Sequence, residues 1–261
     1  MIMLKSDEEV EIMAAASRIV AQTLLVLQSL VRPGVTTLEL DEAAEATICR
    51  LGGSPAFKGY RNFPRSLCVS VNEQVVHGIP SSRRLNPGDI VGLDVGAIVE
   101  GFYGDAAVTV AVGAVSPAVE GLLRTTQQAL YDGIAQAKVG NRLSDISHSI
   151  QRRAESAGFS VVTDFVGHGI GRQLHEEPQI PNFGPSGQGP RLRPGMVLAL
   201  EPMVNMGKSA VKTLPDHWTV VTQDGSWSAH FEHTVAISES GPRVLTAWEA
   251  EPAQLQRAIA G

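Results

Sequence analysis

Four acids and one histidine carry the chemistry that this sequence supports: Asp94, Asp105, Glu201, Glu232 and His168. The acids stand in a pattern that the chain states twice. Residues 84–95 read RLNPGDIVGLDV and residues 191–202 read RLRPGMVLALEP, which makes Asp94 and Glu201 counterparts. In each copy a Pro-Gly turn leads into an apolar run that reads as a buried strand and ends on a carboxylate. A second acidic strand follows each copy: Asp105 opens DAAVTVAV and Glu232 opens EHTVAIS. A bare ionised carboxylate at the end of a buried strand is too costly; it is protonated, paired with a cation or bound to metal. Four of them within about 4 Å of one another repel by several kcal/mol per pair at an effective dielectric of about 20. Two divalent cations cancel that charge, and an oxygen-rich shell with one imidazole suits Mn, Fe(II), Co or Zn. Such a pair lowers the pKa of a water and polarises a carbonyl, the chemistry of metal-assisted hydrolysis. The plainer alternative is a rim of ordinary surface charge, and the apolar runs leading into the acids oppose it.

Between the acidic pairs lie GHGIG around His168 and then His175-Glu176-Glu177-Pro178. Taken alone, a histidine between glycines is more often a loop residue without a role. The glycines at 167, 169 and 171 do not match the dinucleotide-binding spacing, and HEEP lacks the second histidine of a zincin. Ser66, Ser70 and His77 suggest a hydrolase triad, but no G-x-S-x-G elbow surrounds any serine.

The elements that position these residues follow from caps and periodicity. Ser6 with Glu9 and Thr36 with Glu39 are capping boxes that open two helices, ending near Arg32 and before Gly52-Gly53. A strand is expected over 65–71, then a loop through His77-Gly78-Ile79-Pro80. Ser116-Pro117 starts a third helix that runs to about Lys138, and a fourth covers 143–157. The order helix, helix, strand, acidic strand pair thus occurs twice. That order predicts one catalytic domain over 1–261, an internal duplication of roughly 7–112 and 116–238, with the acidic pairs meeting at the junction. The 261 residues are 43% hydrophobic, enough for one large core or two fused small ones, and carry a net charge of −6. Lys and Arg are scattered, which argues against nucleic acid. Two cysteines form no disulfide framework, the N-terminal residues show no signal core, and the apolar stretch 19–31 is interrupted by polar residues. A cytoplasmic protein that does not cross a membrane is expected.

With the residues assembled, the chain resembles methionine aminopeptidase of type I, from the first helix to about Leu245. The resemblance rests on Asp94, Asp105, His168, Glu201 and Glu232 in the family's order, with VVHGIP around His77, GHGIGRQLHEEP, and DHWTVVTQDGSWSAHFEHTV containing Trp218. It implies the pita-bread α/β (α+β) fold, two pseudo-twofold-related halves with an antiparallel sheet covered by helices. It also implies two divalent metal ions on those five residues. Asp94 holds one, Asp105 and Glu232 bridge both, and His168 and Glu201 complete the other. By the same resemblance, a water activated between the metals attacks the scissile carbonyl, and Glu201 shuttles the proton. His175 hydrogen-bonds that carbonyl and His77 contacts the scissile amide. The implied substrates are N-terminal methionines of nascent proteins and peptides with a small second residue. The implied enzyme is a monomer, compatible with transient ribosome association.

The spacing from His175 to Glu201 leaves no room for the helical insertion of type II forms, and the first helix begins too early for an N-terminal extension. A bacterial-length type I form is therefore expected. In the methionine pocket Tyr60, Cys68 and Trp218 match the family, whereas Phe57, Phe63 and Leu174 stand where Cys, Tyr and Phe are usual. Two rival readings fit the same residues: an X-Pro dipeptidase, and an inactive member of the fold acting as a binding module. Retention of all five ligand residues weighs against the second.

Overall fold

The computed structural model describes residues 1–247; the remainder of the expected domain, 248–261, lies outside the described residues. Both capping boxes form. Glu9 N donates to Ser6 Oγ (3.2 Å) and Ser6 N to Glu9 Oε2 (3.1 Å), opening α1 (Asp7–Leu30). Asp7, Glu8 and Glu9 place negative charge at the positive end of its dipole. The Thr36–Glu39 pair opens α2 (Thr37–Arg50) in the same way. By length and by a mean hydropathy of 1.6, α1 would suit a membrane span. Its apolar stripe, with Met13, Val20, Leu24 and Leu27 fully buried, instead packs on the sheet. Gly104 permits the close approach, since a Cβ there would meet the α1 backbone at Ser17 within 2.8 Å.

Among the described residues nine strands form the central sheet, and every pairing in it is antiparallel. Its path runs Ser54–Pro55, Ile90–Val99, Phe102–Ala111, Glu232–Ser238, Val197–Leu200, Gly167–Gly169 and Glu176–Ile180. Leu67–Val71 adds to the Asp94 strand and Gly241–Val244 to the Glu232 strand. The Asp105 and Glu232 strands are therefore neighbours at the centre, flanked by the strand of Asp94 and the strand that precedes Glu201. α3 (Pro117–Gln136) and α4 (Leu143–Ser156) pack together, with Gly133 against Ile150, and Tyr131 of α3 stacks on His233 of the Glu232 strand, on the face that α1 also covers at Gly104.

One expectation changes in detail. Asp94 and Asp105 lie inside ten-residue strands rather than at strand ends, because the hairpin turns only at Glu100 and Gly101, both with positive φ (49° and 79°). Glu201 follows its strand directly, as the apolar run suggests. The expected strand over 65–71 begins at Leu67, where Asp41 of α2 accepts the Ser66 and Leu67 amides (2.8 and 3.0 Å).

Candidate active site

Strand register explains how distant acids meet. Asp94 pairs with Ala107, and Ala107 pairs with Glu232, so the three lie in one row on one face. In the adjacent row Gly96 pairs with Asp105, and farther along Thr234 pairs with Ala199, which pairs with His168. Small residues, Gly96, Ala107 and Ala199, occupy the positions between the polar ones and leave room on that face. The glycines around His168 are there for packing. A Cβ on Gly167 would strike the Ala199 carbonyl, and one on Gly169 the Glu177 carbonyl. GHGIG is thus a strand squeezed between two neighbours.

The predicted residues line one cavity of about 280 Å³: Asp94, Asp105, His168, Glu201 and Glu232 at its floor, His77 and His175 on its walls, and the six pocket residues around them. Asp105, His168 and Glu232 each offer a ligand atom within 4.8 Å of the others. His168 Nε2 is 3.4 Å from Glu201 Oε1. His168 Nδ1 lies 3.0 Å from the Gly169 carbonyl, which as acceptor fixes the proton on Nδ1 and leaves the Nε2 lone pair facing the cavity. Asp94 Oδ1, Asp105 Oδ1 and Glu232 Oε1 are buried and unpartnered. Burial pushes Asp94 up to about 7 and holds Asp105, Glu201 and Glu232 well above the usual carboxylate range, with mutual repulsion adding to the shift at Asp105 and Glu232. A cluster of this kind is costly when ionised and has the oxygen-rich donor set of a divalent cation site.

The histidines are held neutral. Burial lowers His168 to about 3 and His77 and His175 to about 4, and at His175 the nearby Arg61 adds to the effect. Tyr60 Oη lies 2.7 Å from His175 Nδ1, and the two rings stack at 5.4 Å. His77 sits in the left-handed region (φ 60°), with its ring edge-on to Phe165 and Trp218. Gly78 follows it because a Cβ there would collide with the Val69 carbonyl. Trp218 is presented by a turn in which Asp216 accepts the Trp218 and Thr219 amides (2.9 and 2.8 Å). Phe57, Phe63, Cys68 and Leu174 belong to one apolar cluster with Tyr60 and Trp218 against it.

Three contributions were not read from the sequence. Tyr60 orients His175 in addition to lining the pocket. Arg61, Val166, His168 and His175 also border a second, larger cavity of about 800 Å³ toward the N-terminal residues. His230, almost fully buried, turns Nε2 toward Glu201 Oε2 (3.7 Å) and Glu232 Oε2 (4.0 Å). Its i, i+2 relation to Glu232 along an extended segment was the available signal.

Comparison with known proteins agrees with this geometry. The family model for metallopeptidase family M24 matches residues 11–239. Methionine aminopeptidase from Clostridium perfringens is 55% identical over 94% of this chain and 99% of its own length. The crystal structure of methionine aminopeptidase from Thermotoga maritima superposes with a TM-score of 0.94 at 47% identity, covering 95% of this chain and all of the other. Prolidase from Pyrococcus furiosus shares the fold at a TM-score of 0.77 and 22% identity, over 94% of this chain and 66% of its own.

Proposed function

Because the chain belongs to the methionine aminopeptidases of metallopeptidase family M24, we propose that the cavity floored by Asp94, Asp105, His168, Glu201 and Glu232 is its active site. The protein has the pita-bread fold and is a hydrolase that removes N-terminal methionine, using divalent metal. The five floor residues are assigned to two divalent cations, Mn, Fe(II), Co or Zn. Four clustered carboxylates carry this reading, Asp105 and Glu232 buried and Asp94 and Glu201 partly so, three of them with a buried oxygen that has no hydrogen-bond partner among the described residues. Bound there, the cations supply Lewis acidity, lowering the pKa of a water and polarising the carbonyl of the first peptide bond.

The chain's own groups do the rest. Glu201, at the edge of the cluster, takes the proton released as the water attacks and hands it to the departing amine. With Tyr60 donating to Nδ1, His175 carries its proton on Nε2 and donates to the carbonyl oxygen as charge develops. That hydrogen bond needs a neutral imidazole at pH 7, which burial provides. His77 contacts the scissile amide. Phe57, Tyr60, Phe63, Cys68, Leu174 and Trp218 enclose the methionine side chain, an apolar setting with ring edges suited to a thioether. We read the enzyme as a cytoplasmic monomer that meets N-termini of nascent proteins, with transient ribosome association.

Release of methionine from Met-Ala-Ser, measured with chelator and after return of each metal singly, tests this function. The expected result is loss with chelator and recovery with at least one of Mn, Fe(II), Co or Zn. Full activity in chelator, or hydrolysis of Ala-Pro in preference to Met-Ala-Ser, contradicts it.

A further inference from the structure

His230 belongs to none of the roles above, yet it is nearly inaccessible and its Nε2 has no hydrogen-bond partner. Its backbone is fixed on both sides by one residue: His230 N donates to Thr109 Oγ1 (2.9 Å), and Thr109 Oγ1 donates to the His230 carbonyl (2.8 Å). The ring therefore projects from a rigid point on the sheet. Glu201 is faced by two imidazoles, with His168 Nε2 3.4 Å from Oε1 and His230 Nε2 3.7 Å from Oε2.

We propose that His230 is a positioning residue of this centre, its Nε2–H holding Glu201 Oε2 and so fixing the carboxylate that moves the proton; this rests on the cation-site reading of the five floor residues. A neutral imidazole has one N–H and one lone pair, and carboxylates only accept. An N–H directed at Glu201 and Glu232 gains a charge-assisted bond, whereas a lone pair directed there gains nothing. Both present distances exceed a hydrogen bond, and a small turn about the soft terminal torsion of Glu201 closes the shorter one. His230 stands behind the carboxylates: all five floor residues line the cavity, and His230 is not among the residues that border it. Partners in this position orient ligands and tune metal affinity.

The test compares wild type with H230L, H230N and H230Q, each stripped of metal and titrated calorimetrically with Co(II), with the visible absorption of the bound Co(II) recorded. H230L and H230N are expected to bind Co(II) about 10–100-fold more weakly and to change its absorption, with stoichiometry kept. Their kcat on Met-Ala-Ser is expected to fall by a similar factor, with KM within about twofold of wild type. H230Q, whose amide N–H reaches farther than that of Asn, is expected to recover most of both. Should H230L not fold, H230N supplies the comparison. Variants indistinguishable from wild type in Co(II) affinity and kcat overturn the proposal. Loss of a bound equivalent in H230Q as well as H230N also overturns it, since His230 would then be a ligand. Wild-type protein that takes up no Co(II) removes the five-residue cation reading itself, and this proposal with it.

Discussion

We assign Glu201 two duties, cation ligand and proton carrier, and Gln at that position removes both while keeping the shape. E201Q is expected to lower turnover of Met-Ala-Ser by at least about 10²–10⁴-fold, the range of one acid–base group, with an unchanged circular dichroism spectrum. Near-wild-type turnover in the metal-loaded variant would remove both assignments. His175 is assigned no bond to metal, which separates it from Glu201. H175A is expected to lose roughly 10²–10³ in kcat, as for one oxyanion donor, while metal content by elemental analysis stays at the wild-type value. A parallel loss of metal would place His175 among the ligands. The residue scale is also where the sequence was most legible, because carboxylates in buried strands have few affordable fates. Tyr60 and His230 were not legible in their roles, since each acts through a side chain distant in sequence: His175 for Tyr60, Glu201 for His230.

Elements announced themselves where local chemistry decides them. Both capping boxes and the Ser116-Pro117 start lie where side chain and backbone satisfy each other within four residues, and the helices begin there. Strand extent was less legible, because pairing across the sheet carries the Asp94 strand through to Val99 past its acid. The pocket wall is a matter of elements too, since Phe57 follows the edge strand Ser54–Pro55 and Leu174 follows the GHGIG strand. Both line the cavity and both are buried. The ring added at 57 and the ring missing at 174 are read as compensating, because volume-conserving changes are tolerated best. F57C alone is expected to raise KM for Met-Ala-Ser more than it lowers kcat, and L174F alone to crowd the pocket. The double variant is expected to return toward wild type, with non-additivity of at least about 0.5 kcal/mol in kcat/KM. Strictly additive effects would show that the two side chains do not share a wall.

For the whole molecule, the acidic floor couples folding to protons and metal. In metal-free protein Asp94, Asp105, Glu201 and Glu232 have pKa values raised by burial, with Asp94 at about 7. A carboxyl whose folded pKa exceeds its unfolded value contributes stability that is lost as pH rises through the folded value. His77, His168 and His175 have depressed values, so their contribution is lost as pH falls below the unfolded histidine value of about 6.5. The Tm of chelated protein is therefore expected to fall between pH of about 6.5 and about 8, while bound metal, which requires ionised carboxylates, weakens or reverses that fall. Parallel pH profiles with and without metal would contradict the linkage. We read the halves 7–112 and 116–238 as duplicated units, with the Asp105 and Glu232 strands side by side where they meet.

The most direct measurement is an anomalous difference map from crystals of the Mn(II)-loaded protein. Two peaks about 3.5–4 Å apart, enclosed by Asp94, Asp105, His168, Glu201 and Glu232, are expected. A map with no peak within reach of these five residues, from protein that releases methionine under the same conditions, would contradict the assignment of the site.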